Sequence, residues 1–350
     1  MVSLKRMIQD TSMSIVGLAP MDGITDLPFR LIVKEYGDPD VVLTEFIHAI
    51  PLVDYFENVS HTLHYKESER PIIAQIFGKD PAYFYKAACI IFSLGFDGID
   101  INMGCPDKKV VRSGGGASLI GNEKLVFKLV QALRKARDEF LSTGDKILSK
   151  QHGEFIKIQK ERFKIKKVSS FPTISIKTRI GKSENELESW MPMLNKTRVD
   201  FISLHGRTLK QMYRGKADWE AIGWAAKHSE IPLFGNGDIQ HYDEAQKKIK
   251  SYNLKGVLIG RAALGNPFVF RENYKDIDYS LAKRKEIMLK HLKYFKIYKD
   301  ERKFYEMKKH LGWYLKGFKG CREKRIQIME SRSFEEMVNL IASMTFSTSL

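Results

Sequence analysis

Of three cysteines, Cys105 has the neighbours that suit chemistry. It stands between Gly104 and Pro106 at the end of an apolar run, and the segment after it, DKKVVRSGGGASLIG, is basic and glycine-rich. Such a segment reads as a mobile flap rather than packed core. A thiol there can serve as nucleophile, metal ligand or general acid. Zinc needs more close ligands than one thiol, so no metal site is expected. Cys89 lies inside the apolar stretch AYFYKAACIIFSLG and reads as a small buried hydrophobe.

Other polar groups recur at the ends of apolar runs: Pro20-Met21-Asp22, Gln75, Asn102, Lys177 and Arg179, His205 and Arg207, Asn236-Gly237-Asp238, and Gly260-Arg261. Each alone has an ordinary explanation. Gly and Asn favour turns, a buried Gln satisfies backbone groups, and Lys can reach back to solvent. Together they mark one end of seven out of eight runs. Gly235-Asn236-Gly237-Asp238 and Gly260-Arg261 offer close backbone N–H groups and a guanidinium fork, as a phosphate requires. Lys177 can set a positive charge against an electron-rich ring and stabilise the negative charge of a reduced flavin. A phosphorylated cofactor is expected across this end, and FMN fits best.

The elements that must position these groups are short, continuous and β-branched: SIVGLAPM (14–21), VVLTEFI (41–47), PIIAQIFG (71–78), DGIDINMG (97–104), TISIKTRIG (173–181), VDFISLHG (199–206), IPLFGNGD (231–238) and GVLIGRA (256–262). Their unbroken apolar character predicts parallel strands buried on both faces. Amphipathic stretches such as EKLVFKLVQALRKARDEF lie between them. Eight strands alternating with helices predict an α/β fold, a (β/α)8 TIM barrel over 1–265. A doubly wound sheet is the alternative, but no GxGxxG follows the first strand. After Gly265-Asn266-Pro267 the pattern becomes purely helical, predicting a small all-helical domain over 266–350. Residues 141–171 interrupt the unit between the fourth and fifth strands. A segment after a helix and before a strand is expected on the amino-terminal face, away from the active site.

The 350 residues carry a net charge of +16, unevenly placed. Residues 266–350 hold 19 basic and 11 acidic residues, and 141–171 hold 8 and 3. A polyanionic partner is expected, with solvated lysine-rich helices as the bland alternative. Hydrophobic residues make up 43%, which excludes a disordered chain. No apolar window is long enough to span a membrane, and the start, MVSLKRMIQD, lacks a signal-peptide core. Three cysteines do not make a disulfide framework, so a cytoplasmic protein with reduced thiols is expected.

The motifs GLAPMDGITDLPFR (17–30), IIAQIFG (72–78), INMGCPDKKVVRSGGGASLIG (101–121), SIKTRIG (175–181), LHGRT (204–208), FGNGDI (234–239) and LIGRAALGNPFVF (258–270), continuing into MKKHLGWYLKGF (307–318), resemble the tRNA-dihydrouridine synthases. The Cys-Pro-x-Lys-Lys run resembles their bacterial B-type branch. The resemblance covers nearly the whole chain except 141–171. It implies an FMN-bound barrel, a helical RNA-binding domain, NADPH or NADH as reductant, and tRNA as partner. By position, it places Pro20, Met21, Asp22, Gln75, Lys177 and His205 beside the flavin. Asn236, Gly237, Asp238, Gly260 and Arg261 hold the phosphate end. Asn102, Lys108, Lys109, Arg179 and Arg207 lie on the substrate side, and Cys105 is the general acid. A monomer without membrane or metal partners is expected. The implied reaction delivers a hydride to C6 of uracil and a proton from Cys105 to C5. A thiol of ordinary pKa, about 8.5, is mostly protonated at neutral pH and suits that step. Competing readings are the same chemistry on ribosomal RNA, a flavin barrel acting on a free pyrimidine, and an RNA-binding barrel that has lost catalysis.

Overall fold

The computed structural model of the protein describes residues 2–344. Eight parallel strands close in sequence order into one barrel: β1 (Ile15–Leu18), β2 (Val41–His48), β3 (Ile72–Phe77), β4 (Gly98–Met103), β5 (Thr173–Arg179), β6 (Phe201–His205), β7 (Leu233–Asn236) and β8 (Gly256–Ile259). Seven fall within one of the apolar runs, and β2 runs one residue past its own. Val16, Leu18, Ile72, Ala74, Ile99, Ile101, Ile176 and Val257 are fully buried. Such residues have no exposed face because helices cover the barrel wall. The longer wall helices are α1 (Leu27–Tyr36), α2 (Pro81–Ser93), α3 (Glu123–Thr143), α4 (Lys150–Phe163), α5 (Leu187–Thr197), α6 (Trp219–His228) and α7 (Tyr242–Tyr252). Their starts are signalled locally. Asp26 accepts from the Phe29 amide at 3.0 Å and Asp80 from the Ala82 amide at 2.8 Å, each just before a proline in the first turn.

Among the described residues, four α-helices follow the barrel: α8 (Leu281–Tyr298), α9 (Tyr305–Tyr314), α10 (Cys321–Glu330) and α11 (Phe334–Ser343). They form a second apolar cluster around Ile287, Met288, Leu292, Phe295, Leu311, Met337 and Ile341, which takes in Ile32 and Tyr36 from α1. The remainder of the expected helical domain, 345–350, lies outside the described residues. Ion pairs rivet the same contact. Lys299 reaches Asp26 at 3.0 Å and Glu306 at 2.5 Å, and Tyr36 donates to Glu286 at 3.1 Å. At the change of pattern, Gly265 has φ +77°, and a Cβ there would strike the carbonyl of Trp313 in α9. Glycine is required because the helical unit presses its backbone against the end of the barrel.

The segment 141–171 departs from the expected place. It is not confined to the amino-terminal face. Its helix α4 lies on the outer wall, against the chain that leaves β2. His152 Nε2 meets the Val53 carbonyl at 3.0 Å, and the rings of Phe155 and Phe56 lie 4.5 Å apart. At its far end Phe163 packs with Leu27 and Leu31 of α1 and against Tyr294 and Tyr298 of α8. Apolar anchors decide this. Ile156 and Phe163 are 1% and 4% exposed, and burying such side chains contributes roughly 1.5–3 kcal/mol each. None of the residues of α4 lines the central cavity.

Candidate active site

A cavity of about 930 Å³ opens at the carboxyl ends of the strands. Its size suits a bound cofactor with part of a second ligand. Parallel register brings its lining together. Phe46 neighbours Gln75 across β2 and β3, Asn102 neighbours Lys177 across β4 and β5, and Arg179, His205 and Asn236 are in step across β5, β6 and β7. Period-two alternation then aims Gln75, Asn102, Lys177, His205 and Asn236 inward. Pro20, Met21, Asp22, Cys105, Arg179, Gly237, Asp238, Gly260 and Arg261 complete the same wall. Lys108 and Lys109 lie outside the cavity, exposed on the short helix Lys108–Arg112 that follows the Cys105 loop. Arg207 is also outside it, 2% exposed, behind His205 and Asp238.

One hydrogen-bonded chain sets the floor of the site. Asp100 accepts from Ser175 Oγ at 2.6 Å and from Gln75 Nε2 at 2.7 Å. Gln75 Oε1 accepts from Asn102 Nδ2 at 3.0 Å. Asn102 Oδ1 then accepts from the amides of Gly104 at 3.1 Å and Cys105 at 2.9 Å. A carboxylate only accepts, so it fixes which way each amide points, through to the cysteine loop. Burial pushes the Asp100 carboxyl up to about 6 against the pull of Ser175 and Gln75. Sequence reasoning missed this residue. The signal was an acid in the midst of the apolar run GIDINM, which demands a partner.

Arg179 anchors the other side of that loop. Its Nε donates to the Gly104 carbonyl at 2.6 Å, and Nη1 to the carbonyls of Thr208 and Met212 at 3.1 and 3.0 Å. Burial raises the Cys105 thiol, and the carboxylates of Asp107 and Asp22 add to that rise. The thiol is therefore protonated at neutral pH. Lys177 faces the cavity with no hydrogen bond or salt bridge from its ammonium among the described residues. Burial and Arg179 bring it down to about 8. His205 is held far below its usual range by burial and by Lys177 and Arg179, so its imidazole is neutral. Its Nε2 lies 3.3 Å from Arg207 Nη1, which makes that nitrogen the acceptor.

The end formed by β7 and β8 has a different character. Arg207 Nη2 grips both oxygens of Asp238, at 2.8 and 2.7 Å, and Arg261 Nη2 reaches the same carboxylate at 3.0 Å. Burial acts upward on Asp238, but these donors and the Ala217 amide hold it below the usual carboxylate range. Asn236 Nδ2 donates to the Leu258 carbonyl at 2.8 Å. Gly237 has φ +129°, and a Cβ there would run into Ala217 and the His205 ring. Backbone thus comes close to the cavity at this end, as an anion cradle needs.

Known proteins resemble this chain along most of its length. The dihydrouridine synthase family pattern matches residues 17–149 and 164–349. A probable tRNA-dihydrouridine synthase 2 of Bacillus subtilis is 31% identical over 334 residues, covering 93% of this chain and 92% of that protein. The tRNA-dihydrouridine synthase B of Pseudomonas aeruginosa is 31% identical over 322 residues, covering 89% and 86%. Among solved structures, histamine dehydrogenase from Rhizobium sp. 4-9 shares the fold, with a TM-score of 0.51, 12% identity, and coverage of 80% of this chain and 49% of that one.

Proposed function

The chain belongs to the dihydrouridine synthase family, and from that premise we propose that it reduces specific uridines of tRNA to 5,6-dihydrouridine, with FMN as cofactor and NADPH as electron source. The observation that carries this reading is the pairing, in one cavity, of a protonated thiol, Cys105, with a half-buried ammonium, Lys177, that makes no hydrogen bond or salt bridge among the described residues. A cation that faces a cavity without a hydrogen-bonding partner suits an anionic ligand. The residues present fit a flavin mononucleotide. Lys177, neutral His205 and Gln75 would surround its ring system, while Gly237, Gly260 and Arg261 would hold its phosphate. Arg261 retains donors beyond its contact with Asp238. Bound and reduced, the flavin supplies a hydride to C6 of the base.

The chain's own residues supply the rest. Cys105 holds the proton that C5 receives, and burial keeps that proton in place until it is needed. The thiolate left behind is stabilised by the positive charges of Lys177 and Arg179. The Asn102 amide holds the Cys105 backbone, so the sulfur meets the base from a fixed loop. The target base has to leave its stack to enter the cavity, which is least costly in an RNA loop. We take residues 266–350, with their 19 basic and 11 acidic residues, as the unit that holds the RNA by its phosphates. Lys309 of α9 bonds the Gly23 carbonyl at the rim, so this unit borders the cavity mouth. Purified protein should carry a flavin spectrum and form dihydrouridine in unmodified tRNA when given NADPH. Colourless protein, or reduction of free uracil with none of RNA, would overturn the reading.

A further inference from the structure

The family pattern runs to residue 149 and resumes at 164, so α4 is an element this chain adds to its family's fold. Residues 149–167 contain seven basic side chains against two acidic ones. The excess gathers at the end nearest the helical unit. Arg162, Lys164, Lys166 and Lys167 are exposed there, and Lys66 rises beside them from the chain between β2 and β3. Arg162 and Lys66 share the ring of Phe163, each 5.3 Å from its centre, and Lys66 also lies 5.2 Å from the ring of Tyr298 in α8. None of these five cations makes a salt bridge among the described residues. The neighbouring carboxylate, Glu67, is already engaged by Arg70 at 3.1 Å and by the backbone amides of Lys166 and Lys167 at 3.2 and 3.4 Å.

Like charges brought this close raise the free energy of the protein by itself. Lys66 shows it: burial and Lys164, with a smaller push from Arg162, depress its ammonium against the opposing pull of Glu69. Burial of α4 does not require four further cations at its end, because its apolar anchors are Ile156 and Phe163. A polyanion would relieve it. The cluster adjoins Tyr298 at the end of α8, so it borders the basic helical unit.

We propose that residues 162–167, with Lys66, form a second docking surface for the sugar–phosphate backbone of the RNA, away from the base that reacts. This rests on the RNA reading above. The surface adds affinity without reading sequence, because its side chains are point charges and forks with no groove to enter.

The test replaces Arg162→Gln, Lys164→Asn and Lys166→Gln together. Asn is chosen for Lys164, whose φ is +55°, because it tolerates that conformation. A control replaces Lys227, Lys247 and Lys250 on the opposite wall by Gln, removing the same charge. tRNA binding is measured from 50 to 300 mM salt. The cluster variant should bind at least tenfold more weakly at low salt, and its log–log salt slope should fall by about 2–3. The control should stay near wild type, and turnover at saturating tRNA should be unchanged in both. Equal losses in both variants, or unchanged affinity and slope in the cluster variant, would overturn the proposal. Intact RNA affinity with lost binding to anionic phospholipid vesicles would overturn it in favour of a membrane surface. Wild-type protein that binds no tRNA would instead refute the RNA reading itself, and this inference with it.

Discussion

Asp100 is completely buried, has no reacting group to touch, and still governs the site through Gln75 and Asn102. Two replacements separate its charge from its geometry. In Asp100→Asn, the side-chain oxygen can still accept from Gln75, while the new amide donates to the Ser175 hydroxyl, which can turn to receive it. Two charge-assisted hydrogen bonds become neutral ones, at a cost of about 1–2 kcal/mol. The amide chain keeps its direction, so turnover should fall less than tenfold. Asp100→Leu fills similar space but leaves Gln75 Nε2 and Ser175 Oγ unpaired, each costing about 1–3 kcal/mol. Gln75 is then free to flip. A flipped Gln75 sets its amide against that of Asn102, and Asn102 releases the Gly104 and Cys105 amides. Those two bonds contribute about 0.5–1.5 kcal/mol each. Losing both corresponds to a turnover loss of about 5- to 160-fold.

The measurements are thermal unfolding and single-turnover reduction of tRNA with flavin content matched between proteins. Folded Asp100→Leu turning over within twofold of wild type would refute the reasoning, because the loop would then hold itself. The pH dependence gives a second check. The carboxylate is the accepting form above its pKa of about 6 and is lost as pH falls through it. Wild-type turnover should therefore decline modestly below pH 6, and that limb should be missing in Asp100→Asn.

Cys105→Ala should bind FMN and tRNA as wild type does but lose most turnover. Wild-type rates in this variant, read as dihydrouridine formed per minute, would remove the thiol from the mechanism. The Lys177 cation is complete below its pKa of about 8 in the apoprotein and disappears above it. FMN affinity, followed by fluorescence quenching, should thus weaken as pH rises from 7 to 9, and Lys177→Met should bind weakly with no such dependence. Phe163→Ala should lower stability by about 3 kcal/mol in denaturant titration, because the ring is 4% exposed where α4 meets the helical unit. A loss below 1 kcal/mol would mean that α4 is not held there.

The barrel was legible because its strands, buried on both faces, cannot hide among alternating patterns; each of the eight expected runs coincides with a strand to within one residue at its end or contains it. Cys105 was legible because position along a strand fixes which end of a barrel a residue occupies. The limits have the same physical origin. Asp100 acquires its meaning from Gln75, which sits opposite it only through the register of β3 and β4. Nothing within either run specifies that pairing. The place of α4 was misjudged because connectivity fixes where a segment departs, whereas Phe155 and Phe163 decide where it packs, through partners about a hundred or more residues away. Helix α10 is hard to read from its sequence, CREKRIQIME, which has little apolar face; within it Ile328 alone is buried. The arginines give the sharpest case. Arg179 ends β5 and Arg207 lies two residues past the end of β6, and both read as ligands for a substrate. A guanidinium offers five donors, which suit buried carbonyls as well as phosphates. Arg179 lines the cavity with three of its bonds made to backbone, while Arg207 turns away to Gly215 and Asp238. Strand-end position therefore selects the functional face, and only the loops folded over that face decide which of its side chains remain free to meet a ligand.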